Sequence, residues 1–321
     1  MPAGAIEIDV LVAGGGVAGL TAAAAFAAEG FRVLCVDPVP PPASAGAEGS
    51  DLRSTAFLMP AIALLARAGL WERLAPQAAA LRVMRIADAE GGRLREVADF
   101  RAAEIGQEGF GYNLPNWLLR REMVARLGEL AGARFVGGAA VARVVPRSQA
   151  ALAVLSDGTP VRATLVVAAD GRDSGLREAM GIAARRWGYG QKALVFAVTH
   201  RVPHDGVSTE IHLSGGPFTL VPLPDRDGTH ASAVVWMEAG PVAAELAGLP
   251  EGAFEARLNA RACGVLGELR LASPRRVWPI VSQVAARLTG PRTVLVAEAA
   301  HVVPPIGAQG LNMSQIGRAH V

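Results

Sequence analysis

The chain has 321 residues, of which 51% are hydrophobic and 19% charged, which describes a globular protein of one large or two ordinary domains rather than a disordered or collagenous one. Its net charge of +2 removes the electrostatic case for nucleic acid or for an anionic membrane surface. No secretory signal opens it, and its most apolar stretch, VAGLTAAAAFAAEGF, is too short to span a bilayer and carries Glu29, so a cytoplasmic protein is expected.

In chain order, IEIDVLVA (6–13) predicts a buried strand, 17–29 a helix and FRVLCV (31–36) a second strand. That is a βαβ unit with parallel strands and a right-handed crossover. A Pro/Ala/Gly loop, PVPPPASAGAEGS, is followed by a helix predicted at about 54–68. Residues 82–87 and 93–100 read as strands joined at EGG, a hairpin signal. A helix is predicted at about 116–131, then strands near 134–145, 151–156 and 161–169. From about 187 the texture changes. ALVFAVTHRV, STEIHLS, FTLVPLP and ASAVVWME are short strands between Pro, Gly and Asp turns, as in an antiparallel sheet and so a second domain. A helical stretch (about 242–269) precedes the strands RRVWPIV and RTVLVA. No repeat is evident.

The cysteines, Cys35 and Cys263, lie in an apolar strand pattern and a helical one and read as buried free thiols, which fits a reducing compartment. Lys192 is the only lysine, so no phosphate-binding P-loop is present. His200, His204, His212 and His230 are scattered through the strand region without metal-ligand spacing, and no metal site is expected.

Chemistry enters at Gly14-Gly15-Gly16-Val17-Ala18-Gly19, a G-x-G-x-x-G between strand and helix. Gly14 permits the tight turn, Gly16 lets a pyrophosphate approach the backbone at the helix N-terminus, and Gly19 lets helix and strand pack closely. Asp37 ends the second strand, 23 positions after Gly14, where an acid can bond a ribose hydroxyl; it argues for NAD or FAD over NADP. The bland reading is a glycine-rich turn with no ligand. Two further stretches decide. LVVAADGRDSGLREAMGI (165–182) holds Asp170-Gly171, with Ser174 capping a helix that carries Arg177. TVLVAEAAHVVPPIGAQGLN (293–312) is a strand ending at Glu298, a Pro/Gly loop and a helix start.

Together the three stretches resemble the fingerprints of the class A flavoprotein aromatic hydroxylases, the para-hydroxybenzoate hydroxylase type, over residues 8–312. Asp170, Gly171, Ser174 and Arg177 match the second fingerprint. The third, G-D-A-A-H-x-x-x-P then Q-G-x-N, is matched by Ala297-Glu298-Ala299-Ala300-His301, Pro305 and Gln309-Gly310-Leu311-Asn312. With FTLVPLPD and GLWERL, the wording is most similar to the ubiquinone-biosynthesis hydroxylase branch. Two departures stand out. Glu298 replaces Asp one methylene longer, and Ala297 replaces a Gly and its conformational freedom.

The resemblance implies an α/β fold, a Rossmann-like FAD-binding domain with an inserted, mainly antiparallel β substrate domain. The FAD-binding domain takes 1–81, 101–183 and 284–315, and the substrate domain 184–283, joined by the hairpin 82–100. It implies that Gly14, Gly15, Gly16 and Gly19 take the FAD pyrophosphate and Asp37 the AMP ribose. Arg53 would reach the phosphates or adenosine, or is a solvated Arg at a helix start. One of Asn116 and Arg121 contacts the cofactor. Asp170 with Gly171 holds the pyrophosphate end and Glu298 the ribityl end, and the backbone of Gly307, Gln309, Gly310 and Leu311 faces the flavin ring. His301 takes a structural role, and no side chain is assigned a catalytic one. VWPI (277–280) is superficially similar to the tryptophan motif of flavin-dependent halogenases but lacks the second Trp; a strand entering the FAD domain is expected instead.

The implied chemistry is reduction of FAD by NAD(P)H and reaction with dioxygen to a flavin C(4a)-hydroperoxide. One oxygen then goes to an aromatic small molecule, a polyprenylated phenol on the way to ubiquinone. An isoprenoid substrate leaves room for peripheral attachment to the inner face of the membrane or to partner enzymes. The rival readings are an NAD-dependent dehydrogenase, an FAD epoxidase or reductase of isoprenoids, and an inactive truncated fragment. The ending IGRAHV back-translates to the start of a common sequencing-library adaptor, so residues 316–321, with Arg318 and His320, are expected to be a non-native tail on a C-terminally truncated chain.

Overall fold

The computed structural model of the chain describes residues 4–315 except 48, 49, 52, 214 and 227. The tail expected at 316–321 lies outside the described residues. Strand β1 (Ile6–Ala13), helix α1 (Val17–Ala28) and strand β2 (Val33–Asp37) form the anticipated βαβ unit, with β1 and β2 parallel. α1 buries Leu20, Ala23, Ala24 and Ala27, small side chains that let it lie close to the sheet.

The segment read as a helix over 54–68 begins instead as strand β3 (Ser54–Leu58), and helix α2 (Met59–Arg67) starts after it. Pro60, in the first turn of α2, marks that start, since proline is tolerated there and not in a helix interior. Next come α3 (Trp71–Leu74), β4 (Ala79–Leu81), β5 (Val83–Glu90), β6 (Arg93–Arg101), β7 (Gly111–Pro115) and α4 (Asn116–Glu129). β5 and β6 form the expected hairpin, with Gly91 and Gly92 at φ 59° and 76°, the left-handed pair a tight hairpin turn demands. The strand read over 134–145 is two, β8 (Ala133–Gly137) and β9 (Val141–Pro146), separated at Gly138, φ 84°. β10 (Ala151–Leu155), β11 (Pro160–Ala168) and α5 (Gly175–Ala179) follow.

The second half holds β12 (Ala184–His200), β13 (Val207–His212), β14 (Phe218–Arg226) and β15 (Thr229–Ala239). The helical stretch read at 242–269 splits into α6 (Gly240–Gly248) and α7 (Glu251–Ala262), and Cys263 ends α7 in the left-handed region. Cys35 is buried as read, whereas Cys263 is only half-buried, because its helix stops there. The chain closes with β16 (Arg270–Leu271), β17 (Arg276–Ala285), β18 (Thr289–Gly290), β19 (Thr293–Leu295), β20 (His301–Val302) and α8 (Gln309–Gln315).

Among the described residues three sheets form. The nucleotide-side sheet runs β18-β19-β11-β1-β2-β8 with β10 and β9 beside β11, and its β19-β11-β1-β2-β8 core is parallel. The large sheet runs β20-β17-β12-β15-β14-β13-β5-β6, with β16 beside β12, and is antiparallel except where β13 meets β5. β17, read as a strand entering the FAD domain, belongs to this second sheet, paired with β12 and β20. A small sheet, β3-β7-β4, links the two; the buried Asn113 of β7 donates to the Pro222 carbonyl of β14 at 2.8 Å.

The large sheet is apolar on both faces. One face, carrying Phe196, Ile211, Phe218 and Trp236, packs under α6 and α7. The other turns toward the nucleotide side. Its middle strands hold Val195, Ala197, Val221 and Val235, only partly buried although none lies on an edge strand. Partly exposed apolar residues in the middle of a sheet, on the face without helices and among buried neighbours such as Ala193, Ala233 and Met237, mark a cleft wall.

Candidate functional site

The three glycines of the first motif have different tasks. Gly14 sits at φ 110°, and a Cβ there would fall on the Ala169 carbonyl at the end of β11; a Cβ on Gly19 would fall on the Gly14 carbonyl. Those two are required by the backbone itself. A Cβ on Gly16 would meet nothing within 4 Å among the described residues. Gly16 is also the N-cap of α1 and, being glycine, supplies no side chain to cap it. The first-turn N–H groups of α1 thus face open space with the positive end of the helix dipole, an anion cradle. FAD, with its pyrophosphate, fits that cradle.

Asp37, at the end of β2, accepts the Gly15 N–H at 2.5 Å and the Val39 N–H at 2.8 Å, so it braces the turn as well as bordering the cradle. Arg120 of α4, which the sequence did not single out, donates to the carbonyls of Gly15 (2.9 Å) and Val39 (2.7 Å) and reaches Asp37 at 3.4 Å. Arg121 turns away, paired with Glu122 at 2.9 Å and lying over the Trp117 ring. Adjacent residues on a helix point about 100° apart, so a site on one face takes one of an Arg-Arg pair, and sequence cannot say which.

Asp170 accepts the Ser174 hydroxyl at 2.5 Å and the Leu176 N–H at 3.1 Å, while Ser174 accepts the Arg177 N–H at 3.0 Å. Its carboxylate therefore starts α5, and Gly171, at φ 88°, makes the bend. The buried Arg177 ties this segment to the third motif by donating to the Ala299 carbonyl at 3.1 Å. Glu298 is gripped by Arg172 at 3.2 and 3.3 Å. Ala297, where the resembling family carries Gly, sits at φ 50°, so the lost freedom falls on a left-handed position. His301 takes a structural bond, its Nε2 to the Gly310 carbonyl at 3.1 Å.

Gly307 (φ 62°) turns the chain into α8, which carries Gln309, Gly310 and Leu311, with Leu311 packed against the core beside α1. Asn312 of α8 is buried: it accepts the Leu58 N–H at 2.9 Å and donates to the Ala56 carbonyl at 2.8 Å, fixing α8 on β3. Arg53 pairs bidentately with Asp51 at 2.9 and 2.8 Å, and Asn116 donates to the same Asp51 at 2.9 Å. Burial alone would raise the Asp51 carboxyl, but Arg53 and Asn116 together hold it below the usual carboxylate range. Arg53 also lies over the Trp278 ring at 4.6 Å, with Arg172 at 5.9 Å. Trp278 was discounted in the sequence, yet it stands where the large sheet meets Arg53 and Arg172, the arginine that grips Glu298.

The sequence scatters the histidines; the structure gathers three, with the rings of His200, His204 and His230 at 6.1–6.3 Å from one another. His200 is wedged between the Val202 carbonyl and the Ser232 hydroxyl, and burial pushes its pKa down. Among the described residues no group of three His, Cys, Asp or Glu side chains is placed to hold a metal ion.

A parallel sheet with a glycine cradle, joined to an antiparallel sheet that presents an apolar cleft wall, defines a nucleotide-cofactor enzyme with a separate substrate side. The family model described as FAD binding domain matches residues 7–316. The ubiquinone hydroxylase UbiL of Rhodospirillum rubrum is 36% identical over 304 residues, covering 95% of this chain and 69% of that protein. The 3-demethoxyubiquinol 3-hydroxylase of Escherichia coli is 25% identical over 313 residues, covering 95% and 76%. Of solved structures, P. aeruginosa PqsL in complex with 2-aminobenzoylacetate superposes with a TM-score of 0.80 at 22% identity, over 97% of this chain and 83% of that one. The chain belongs to the FAD binding domain family and is an FAD-dependent monooxygenase of the ubiquinone-hydroxylase type.

Proposed function

We propose that the chain hydroxylates an aromatic ring bearing a long apolar tail, a polyprenylated phenol on the route to ubiquinone, with NAD(P)H as reductant and dioxygen as oxygen source. The observation that carries this reading is a row of side chains on the cleft wall. Phe100, Met84, Ser208, Val221, Ala233 and Ala197 lie side by side across strands β6, β5, β13, β14, β15 and β12. Apart from Ser208 the row is apolar, and it begins on an open hairpin where Phe100 and Met84 are 52% and 38% exposed. A tail could lie along it from solvent, or from a membrane surface, to the centre of the sheet. The small residues at the inner end give the ring depth. Peripheral contact with the inner face of a membrane through this hairpin is part of the proposal; among the described residues no helix is long and apolar enough to cross one.

When bound, FAD supplies the redox chemistry, passing electrons from NAD(P)H to dioxygen so that one oxygen atom reaches the ring. The protein's share is binding and orientation. Gly14, Gly16 and Gly19 with the α1 N–H groups hold the pyrophosphate, and Asp37 takes the ribose from its place beside Gly15. Asp170 and Gly171 shape the adjoining turn, and Glu298, steadied by Arg172, faces the ribityl chain. Arg53, Asn116 and Asp51 form a clamp bordering the cofactor, with Arg121 behind it. The backbone of Gly307, Gln309, Gly310 and Leu311 stands at the ring. The apolar wall keeps water from the reacting carbon.

The test is to purify the chain, record the visible spectrum for bound flavin, and follow NAD(P)H oxidation with and without a prenylated phenol. Flavin colour and stimulation by the phenol are expected. A colourless protein that gains no colour with added FAD would overturn the reading.

A further inference from the structure

We infer that Arg120 of α4 is a positioning residue for the cofactor: by holding the Gly15 carbonyl it aims the Gly16 N–H at the FAD pyrophosphate. This rests on the reading of the glycine cradle as the pyrophosphate seat, and adds to that seat a side chain from outside the motif. The observation that carries it is a matched set of bonds. Asp37 accepts the N–H groups of Gly15 and Val39. Arg120 donates to the carbonyls of the same two residues, from Nε at 2.9 Å and from Nη2 at 2.7 Å. Gly15 and Val39 are thus each gripped on both sides, the N–H by the acid and the carbonyl by the base. The two side chains meet at 3.4 Å, with only 12% and 15% of their surface exposed, so solvent screens the pair little.

The peptide bond supplies the direction. A trans peptide sets its carbonyl and its N–H on opposite sides, and no cis peptide occurs among the described residues. With the Gly15 carbonyl drawn to Arg120, the Gly16 N–H points the other way. Gly15 is buried and Gly16 exposed, and no group among the described residues accepts the N–H of Gly16, Val17 or Ala18. Were α1 to begin one residue earlier, the Gly15 carbonyl would take the Gly19 N–H. Arg120 holds that carbonyl instead, and the first helical bond runs from the Leu20 N–H to the Gly16 carbonyl. The guanidinium therefore fixes where α1 starts and which N–H groups stay open to an anion. Gly15 can carry no side chain of its own to do this, because a Cβ there would fall 2.8 Å from Asp37 Cβ and 2.9 Å from the Phe135 ring.

Helix α4 brings Arg120 to this point from a fixed base. Leu119 and Met123 are fully buried and hold the helix against the core. Asn116 and Arg120 are four residues apart and share one face of α4. Asn116 donates to Asp51 in the Arg53 clamp, while Arg120 reaches the cradle, so one helix face sets the spacing of the two. Arginine suits the task because its planar fork serves two carbonyls and a carboxylate at once. The compact ammonium of a lysine has no such fork.

The experiment uses the full chain loaded with FAD. It reads affinity from the flavin fluorescence released on dilution, and the seat of the pyrophosphate from the phosphorus NMR resonances of the bound cofactor. Arg120→Met, which keeps an apolar stem and removes the fork, should raise the Kd for FAD about 30-fold. It should also move the phosphorus resonances toward those of free FAD, while the visible spectrum, which reports the ring end, stays as in wild type. Arg120→Lys, which keeps the charge without the fork, should recover only a small part of the loss. Wild-type Kd and resonances in Arg120→Met would overturn the inference, and so would full rescue by Arg120→Lys, which would leave Arg120 a nearby charge. A lowered Tm with unshifted resonances would make it a brace of the fold and overturn it equally. Should Arg120→Met load no flavin, Arg120→Lys decides: shifted resonances support the inference and unshifted ones overturn it. Gly16→Ala separates this inference from the cradle itself. Weakened FAD binding in Gly16→Ala beside wild-type binding in Arg120→Met would sink the inference alone, whereas wild-type binding in both would sink the cradle as well.

Discussion

The parallel sheet and the large antiparallel sheet reveal their tasks in opposite ways. In the first, function sits in turns whose residue types admit few substitutes: Gly14 and Gly19 have backbone where a Cβ would go, and Gly16 has room where a ligand would go. In the second, function sits on a face. ALVFAVTH and ASAVVWME are apolar at successive positions because one set of side chains packs under α6 and α7 while the other lines the cleft. A turn can be read one residue at a time; a face needs the register.

The contrast can be broken most sharply at the glycines. Gly14→Ala and Gly19→Ala should each lower stability by about 3 kcal/mol in chemical denaturation and lose flavin. Gly16→Ala should leave the denaturation midpoint near wild type and weaken FAD retention alone. Equal destabilisation by all three would reduce the motif to a packing device. On the wall, Ala233→Phe should raise KM for a prenylated phenol about tenfold, about 1.4 kcal/mol, relative to the same phenol without its tail. Equal losses for both would mean that the tail does not follow the Phe100–Ala197 row.

Smaller effects test the supports of the second and third motifs. Ser174→Ala removes the α5 cap and should cost about 1 kcal/mol. Ala297→Gly relieves a left-handed alanine and should stabilise by about 1 kcal/mol, read as a raised Tm. The smallest effect is acid dependence at the Asp51 clamp. A carboxyl held below its ordinary pKa gives stability that is present above the unfolded value, about 3.9, and lost as pH falls through the lower folded value. Asp51→Asn should therefore lower Tm at neutral pH and converge with wild type as pH falls through the lowered folded value.

The legible parts follow this division. The βαβ unit, the Asp170–Arg177 cap and the structural role of His301 were open to reading because each rests on short-range chemistry. β3 was misread as helix because its pairing with β7 overrides local preference, although Pro60 carried the true boundary. Arg120, Arg172 and Trp278 were missed because their partners lie far away in sequence, as in the Arg172–Glu298 pair, 126 residues apart. The His200, His204 and His230 group was missed for the same reason.

The central claim is that the cleft between the glycine cradle and the apolar wall delivers one atom of dioxygen to a tailed aromatic ring. It is tested most directly by turnover of a prenylated phenol with NAD(P)H under isotopically labelled dioxygen, followed by mass spectrometry of the product. One labelled oxygen on the aromatic ring is the expected result. Label on the isoprenoid tail, or a reduced product without label, would contradict it.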